Sequence, residues 1–474
     1  TKERTGFNLA PNKRAVQITL EAPSSQWQVH AWLILAAFAG QDITISHSLL
    51  NDHELTLLRA LSDLGATVKT HEDTISLRMK KACQALDLSI HVGSNFDTFA
   101  LLAGQYIVRP SRIRFTAEGN LKTVSLFDIA RFLPSIGARL SFVVPKTNGF
   151  PIRIECSGDL PNTITIPDQL PRAFVEGLLL ALPFAEHPVC LDISQHTEKA
   201  SICERCLPLL EKTEATCYES KEWNIVFEPH ALTVPEKPVL PCEESIACAL
   251  LSLPLLLGGE VTLHGGFPND SQARDVLAAL SDLGLAIEEK SASQTILAHA
   301  SHDASNKQPA LPSLPCHKRL MPSLYPLLAG LLAGLALQEK KPLIPDFMQK
   351  DATTNEFFSL LRLECNSDAE LLPEETSNDI PVFWNAPSPY WAIALALAAC
   401  ARRKEGFKLG NAGIITDLWP QFWTVYNALP VFQGRSEKNA TQEKPQRRKI
   451  RTDVALPIPK PSDAERESEE NGHS

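Results

Sequence analysis

The chain has 474 residues, too long for one ordinary domain and suited to two large ones with a tail. An apolar share of 44% and a charged share of 21% are those of a soluble globular protein, and a chain this long buries enough core to need no disulfide or metal staple. The net charge of −10 argues against nucleic acid as a whole-surface partner, because phosphate backbones recruit basic faces.

Thr1-Lys2-Glu3-Arg4 is followed by no apolar h-region, so no secretory signal is expected. Trp32 to Gly40 is an apolar run that reads as a helix, and the alternating Ile43-Thr44-Ile45 reads as a strand. After Asn51-Asp52, leucines at helical spacing lead to Ala60-Leu61-Ser62-Asp63-Leu64-Gly65. A looser copy of that ending is Phe132 to Ala138. Cys203 and Cys206 form the one C-x-x-C, with no second pair at zinc-site spacing. The eleven cysteines therefore read as reduced cytoplasmic thiols, with no metal and no cofactor expected.

His230 to Pro241 is proline-rich and marks a passage between two halves. Leu250 to Gly259 repeats the apolar run, Val261-Thr262-Leu263 the strand, and Asn269-Asp270 the loop. Ala279-Leu280-Ser281-Asp282-Leu283-Gly284 then repeats the earlier ending almost letter for letter. The glycine closing each copy fits a helix C-terminus that needs a left-handed backbone. Ala300 to Pro315 reads as a surface loop. Met321 to Leu337, broken by Pro322 and Pro326, reads as a buried helix too short to span a membrane. From Gly434 the chain is polar, with Arg447, Arg448, Lys449 and Arg451 followed by an acidic run, which reads as a disordered tail. The copies are too few for a solenoid and predict two similar halves, each built from several α/β units.

These landmarks resemble the EPSP synthase family across about residues 15 to 430. The family's P-G-S-K and following S-N-R match Pro23-Ser24-Ser25-Gln26 and the stretch to Ala31, with glutamine for the lysine and Ala31 for the arginine. Its G-N-A-G-T-x-x-R matches Gly93 to Ala100, and its P-R-M-K-E-R-P matches Gly119 to Ser125. There Lys122 survives, while Val124 stands for the arginine that binds phosphoenolpyruvate. Its S-S-Q falls on Pro171-Arg172-Ala173, its I-P-D on Met321-Pro322-Ser323, and its K-E-T-D-R on Lys350-Asp351-Ala352-Thr353-Thr354. Its D-H-R falls on Ser388-Pro389-Tyr390 and its final K-x-x-P on Asp417 to Pro420.

The resemblance implies an α/β, two-domain enolpyruvyl transferase fold (an inside-out α/β barrel), each domain made of repeated βαβαββ units. It implies residues 1–21 plus 240–433 as one domain, 22–239 as an inserted one, and 434–474 as the tail. It also implies a cytoplasmic monomer, off the membrane, that moves an enolpyruvyl group from phosphoenolpyruvate to shikimate 3-phosphate on the way to chorismate and the aromatic amino acids.

Both substrates are anions with a phosphate and a carboxylate, so a closed site must replace their hydration with fixed cations. Gln26, Ala31, Ala100, Val124, Tyr390 and Asp417 stand where six such cations are expected, and Ser323 where a proton-transfer acid is. By resemblance, Ser25, Lys122 and Lys350 remain to bind substrate and Asp351 to act as acid or base. Each has a plainer alternative: Ser25 capping the helix, the lysines solvated, Asp351 in a salt bridge or a first helical turn. His30 reads as a satisfied buried histidine, and Trp27, Trp419, Phe422 and Trp423 as core. Two functions follow from the pattern. One is an active transferase. The other is a catalytically inactive pseudoenzyme serving as a binding or regulatory protein. The cousin transferase acting on UDP-N-acetylglucosamine would need a cysteine between Glu118 and Ser125, where there is none.

Overall fold

The computed structural model describes residues 6–9, 15–83, 87–269, 271–290, 295–300, 324–374, 383–401 and 407–429. Asp270, Ser323, the loop from residue 301 and the tail from 434 lie outside them. The chain opens with β1 (Phe7–Leu9) and β2 (Val16–Glu21). A first unit holds α1 (Gln26–Ala39), β3 (Ile43–Ile45), α2 (Asp52–Asp63), β4 (Thr67–His71) and β5 (Thr74–Arg78). A second holds β6 (Asp87–His91), α3 (Phe96–Ile107), β7 (Ser111–Thr116), α4 (Phe127–Phe132), β8 (Ala138–Phe142) and β9 (Ile152–Cys156). A third repeats that order with β10 (Thr163–Thr165), α5 (Arg172–Ala181), β11 (Val189–Asp192), α6 (Lys199–Glu211), β12 (Cys217–Lys221) and β13 (Asn224–Phe227).

The fourth unit holds α7 (Glu244–Leu251), α8 (Leu253–Leu257), β14 (Gly259–His264), α9 (Ser271–Asp282), β15 (Leu285–Lys290) and β16 (Thr295–Ala300). A fifth holds α10 (Leu324–Leu337), α11 (Asp346–Gln349), α12 (Ala352–Leu360), β17 (Leu363–Cys365) and β18 (Leu371–Pro373). The last holds β19 (Phe383–Trp384), α13 (Pro389–Ala401), β20 (Phe407–Leu409), α14 (Gly413–Leu418) and α15 (Phe422–Ala428).

Helices lie inside and sheets outside. α1, α10 and α13 are apolar around most of their circumference, and such helices are stable only when buried on all sides. α2 is amphipathic instead, burying Leu57, Leu58, Ala60 and Leu61, with Asn51 capping it by accepting the Glu54 N–H at 3.1 Å. The glycines ending the two matching copies, Gly65 and Gly284, have φ of 100° and 103°, a backbone that side chains resist.

The apolar residues form two cores. One runs from Trp27 to Leu240; the other joins Leu9 to Ala22 and Leu49 with Cys242 to Leu429. Inner helices touch backbone to backbone in each. A Cβ on Gly104 of α3 would lie 2.1 Å from the Gly177 carbonyl of α5, and one on Gly330 of α10 would lie 2.6 Å from the Ala394 Cα of α13. Outside them lie the sheets β3-β5-β4, β6-β7-β9-β8 and β10-β11-β13-β12 over the first core, and β15-β16-β14-β2, β17-β18 and β1-β20-β19 over the second. β2 runs parallel to β14 from Val16 opposite Gly259 to Glu21 opposite His264, so the chain starts in the sheets of the second core.

Candidate functional site

A cavity of about 920 Å³ opens where the two cores meet. The beginnings of α1, α3, α5, α7 and α13 all reach it, through Ser25 to Gln28, Asp97, Arg172, Glu243 and Tyr390. Although Asn95 Oδ1 already accepts two N–H groups of α3 and Glu243 Oε2 one of α1, converging helix N-termini bring partial positive charge, a setting that suits anions. The side chains oppose it. Among the described residues, Asp97, Glu176, Glu198, Glu204, Glu243 and Glu244 line the cavity against Arg172, Arg205 and Lys212.

Both arginines are also engaged. Arg172 Nε donates to Glu176 Oε1 at 2.7 Å, and its Nη1 lies 3.8 Å from Glu198 Oε2. Arg205 Nη1 is 3.6 Å from the same Glu176 oxygen, and its guanidinium lies 4.2 Å from the Trp27 ring centroid. Burial works against the Arg172 charge, but Glu176 and Glu198 together with Cys206 leave the guanidinium pKa raised. Burial pushes the Asp97 carboxyl up, with Arg205 opposing and Glu176 adding to the shift. Burial likewise pushes up Glu243, against the Gln26 N–H that it accepts and against Arg205. The Tyr390 phenol is raised by burial and by Glu243 and Asp97, so it stays protonated.

Of the residues singled out from the sequence, Ser25 lines the cavity. It is the N-cap residue of α1 but makes no side-chain capping bond; its N–H donates to the Pro241 carbonyl at 2.8 Å. Lys122 is exposed on the one-turn Gly119–Thr123 segment, and Lys350 is exposed at the end of α11; neither lines the cavity. Asp351 does not line it either. It caps α12, its Oδ2 accepting the Thr354 N–H and hydroxyl at 2.8 Å each. Gln26 and Tyr390 line the cavity, whereas Ala31 and Ala100 are packed in the first core and Val124 is 39% exposed.

His30 is fully buried, bonded through Nδ1 to the Thr98 hydroxyl at 3.1 Å, and burial lowers its pKa to about 3. Its neighbour His53 sits 3.2 Å from Ser94 Oγ. Asn95 Oδ1 accepts the Asp97 and Thr98 N–H groups, so its NH₂ faces His53 Nδ1 at 3.3 Å. Nδ1 is then the acceptor and Nε2–H the donor, which leaves Ser94 receiving a hydrogen bond rather than losing a proton. Cys203 and Cys206 lie within α6, their thiols pushed up by burial and so kept protonated.

Glu243 and the pairing of Glu176 with two arginines were missed in the sequence. The Arg172–Glu176 spacing of four is a local signal. Glu243 gave only its place just after the proline-rich passage.

Comparison with known proteins agrees with this architecture. The sequence model of the EPSP synthase (3-phosphoshikimate 1-carboxyvinyltransferase) family matches residues 11–319. The 3-phosphoshikimate 1-carboxyvinyltransferase 2 of Halalkalibacterium halodurans is 23% identical over 259 residues, which cover 54% of this chain and 57% of that protein, under two thirds of its length. The enzyme of that name from Nitrosopumilus maritimus is 23% identical over 315 residues, 64% of this chain and 72% of its own. The 2.37 Å structure of EPSP synthase from Acinetobacter baumannii superposes with a TM-score of 0.65 at 16% identity, covering 89% of this chain and 97% of that one, a likeness of fold.

Proposed function

This chain belongs to the EPSP synthase family, and we propose that within it the chain is a pseudoenzyme, a binding or regulatory protein that keeps the enolpyruvyl transferase fold without the transfer reaction. We divide it as residues 1–21 with 240–433 and, inserted between, 22–239, with the cavity as the cleft between them.

One observation carries the reading: among the described residues, six carboxylates face three cations in the cavity, and Glu176 engages both of the arginines among those cations. Two multiply charged anions entering such a space lose their hydration and meet repulsion instead of cations. Every charge-assisted hydrogen bond that the site fails to make weakens binding by about 1.5–3 kcal/mol. The purified protein should therefore release no phosphate from phosphoenolpyruvate and shikimate 3-phosphate, and calorimetry should show no heat with either. Phosphate release at a steady rate would overturn the proposal.

The competing reading is a working transferase with an altered site. Ser25 in the cavity lining and the convergence of helix N-termini favour it. On that reading Ser25, Lys122 and Lys350 hold the substrates and Asp351 moves the proton. Asp351→Asn should then abolish turnover while leaving the fold intact.

A further inference from the structure

We infer that Glu243 is a built-in occupant of the anion position at the start of α1, and that with Gln26 and Asn51 it ties the two sides of the cleft together by hydrogen bonds. The inference rests on the pseudoenzyme reading and deepens it, by saying what fills the vacated site.

α1 has no acidic residue in its first turn, and its N-cap Ser25 makes no side-chain bond to it. A helix of 14 residues with such a start attracts a negative charge from elsewhere. The charge comes from 217 positions along the chain, where the Gln26 N–H donates to Glu243 Oε2 at 2.8 Å. Glu243 is held for this: its own N–H donates to the Pro23 carbonyl at 2.6 Å, and the Ser245 hydroxyl lies 3.4 Å from its other oxygen.

Gln26 then continues the tie. Its side-chain NH₂ donates to Asn51 Oδ1 at 2.8 Å, and the Asn51 NH₂ donates to the Leu418 carbonyl at 3.0 Å. Leu418 belongs to the second core and Glu243 follows its Cys242, whereas Gln26 precedes Trp27 of the first core and Asn51 caps α2, whose leucines pack in the first. Gln26 stands where the family resemblance puts a lysine. A lysine has no acceptor and would reach for an anion in the cleft; glutamine joins the chain's own hydrogen bonds instead. A phosphate at the same amide would have to displace a carboxylate already bonded there, and would meet its charge.

The test uses inorganic phosphate titrated calorimetrically into the full chain at pH 7.5. Glu243→Gln keeps an oxygen for the Gln26 amide and removes the charge, so phosphate should bind at least tenfold more tightly than to the wild type. Gln26→Lys should bind phosphate no better than the wild type, because the new cation pairs with Glu243, and the double variant should bind best. Folded Glu243→Gln protein with unchanged phosphate affinity would overturn the inference. Should that variant not fold, Gln26→Lys decides alone: a tenfold gain with Glu243 in place means that Glu243 excludes nothing. Turnover of the family substrates by the wild type would instead strike the pseudoenzyme reading, and is measured separately.

Discussion

Glu54 and His30 carry opposite pH dependences in the same half of the molecule. Burial pushes the Glu54 carboxyl from 4.5 up to about 7, although Ser48 Oγ and the Leu50 N–H both donate to it. A folded pKa raised this way contributes stability that is full below pH 4.5 and lost as pH rises through 7. His30, lowered from 6.5 to about 3, does the reverse, losing stability as pH falls from 6.5 toward 3. Between pH 4.5 and 6.5 the two slopes oppose one another. Glu54→Gln removes one of them. In denaturant melts from about pH 5 to 7, the variant should gain on the wild type by about 1.4 kcal/mol per pH unit. A constant difference would mean that Glu54 is ionised throughout. The burial of His30 follows from the apolar run around it, so the sequence discloses it. The burial of Glu54 does not, because its position after Asn51 reads equally well as a solvated first turn.

Among the elements, the close approach of α3 and α5 is the most exacting. Gly104→Ala puts a methyl into the Gly177 carbonyl, and buried backbone cannot step aside as a side chain can. We expect a loss of about 3 kcal/mol, read as a lowered denaturation midpoint with an unchanged slope. At α12 the prediction splits two roles for one residue. Asp351→Ala should cost about 1 kcal/mol through the missing cap, whereas Asp351→Asn should cost little. In the sequence Asp351 reads only as an acid or base, a salt-bridge partner or a first-turn residue, although an N-cap is a local signal. The repeated Leu-Gly endings and the apolar runs of α1 and α10 were legible, since punctuation and unbroken apolar stretches are local properties. Lys122 and Lys350 were chosen by motif position alone, and motif position does not report whether a lysine faces the cavity or the solvent.

At the scale of the whole molecule, the distant pairings decide the architecture. β2 and β14 are joined in register although the whole first core lies between them in sequence, and Leu49 crosses from the first unit into the second core. The internal repeat predicts two halves, but no local pattern shows which strand of one half belongs to the other, or that Glu243 would meet α1. Removing residues 1–21 should strip the outer strand from β14 and expose its edge while removing Val16 and Ile18 from the core. The truncated chain should appear in the insoluble fraction on expression; a soluble, monodisperse product would mean that β14 tolerates an open edge.

The pairing of β2 with β14 also sets an order of events at the ribosome. The strand ending at Glu21 emerges long before its neighbour beginning at Gly259 has been translated. At about 5–20 residues per second, the delay is roughly 10 to 50 seconds. In that interval the first core can be completed, while a β-branched segment waits with no strand beside it. Slowing translation just after residue 240, or withholding holdase chaperones, should therefore harm the yield of this protein more than either change would harm a chain whose sheets are assembled from consecutive strands.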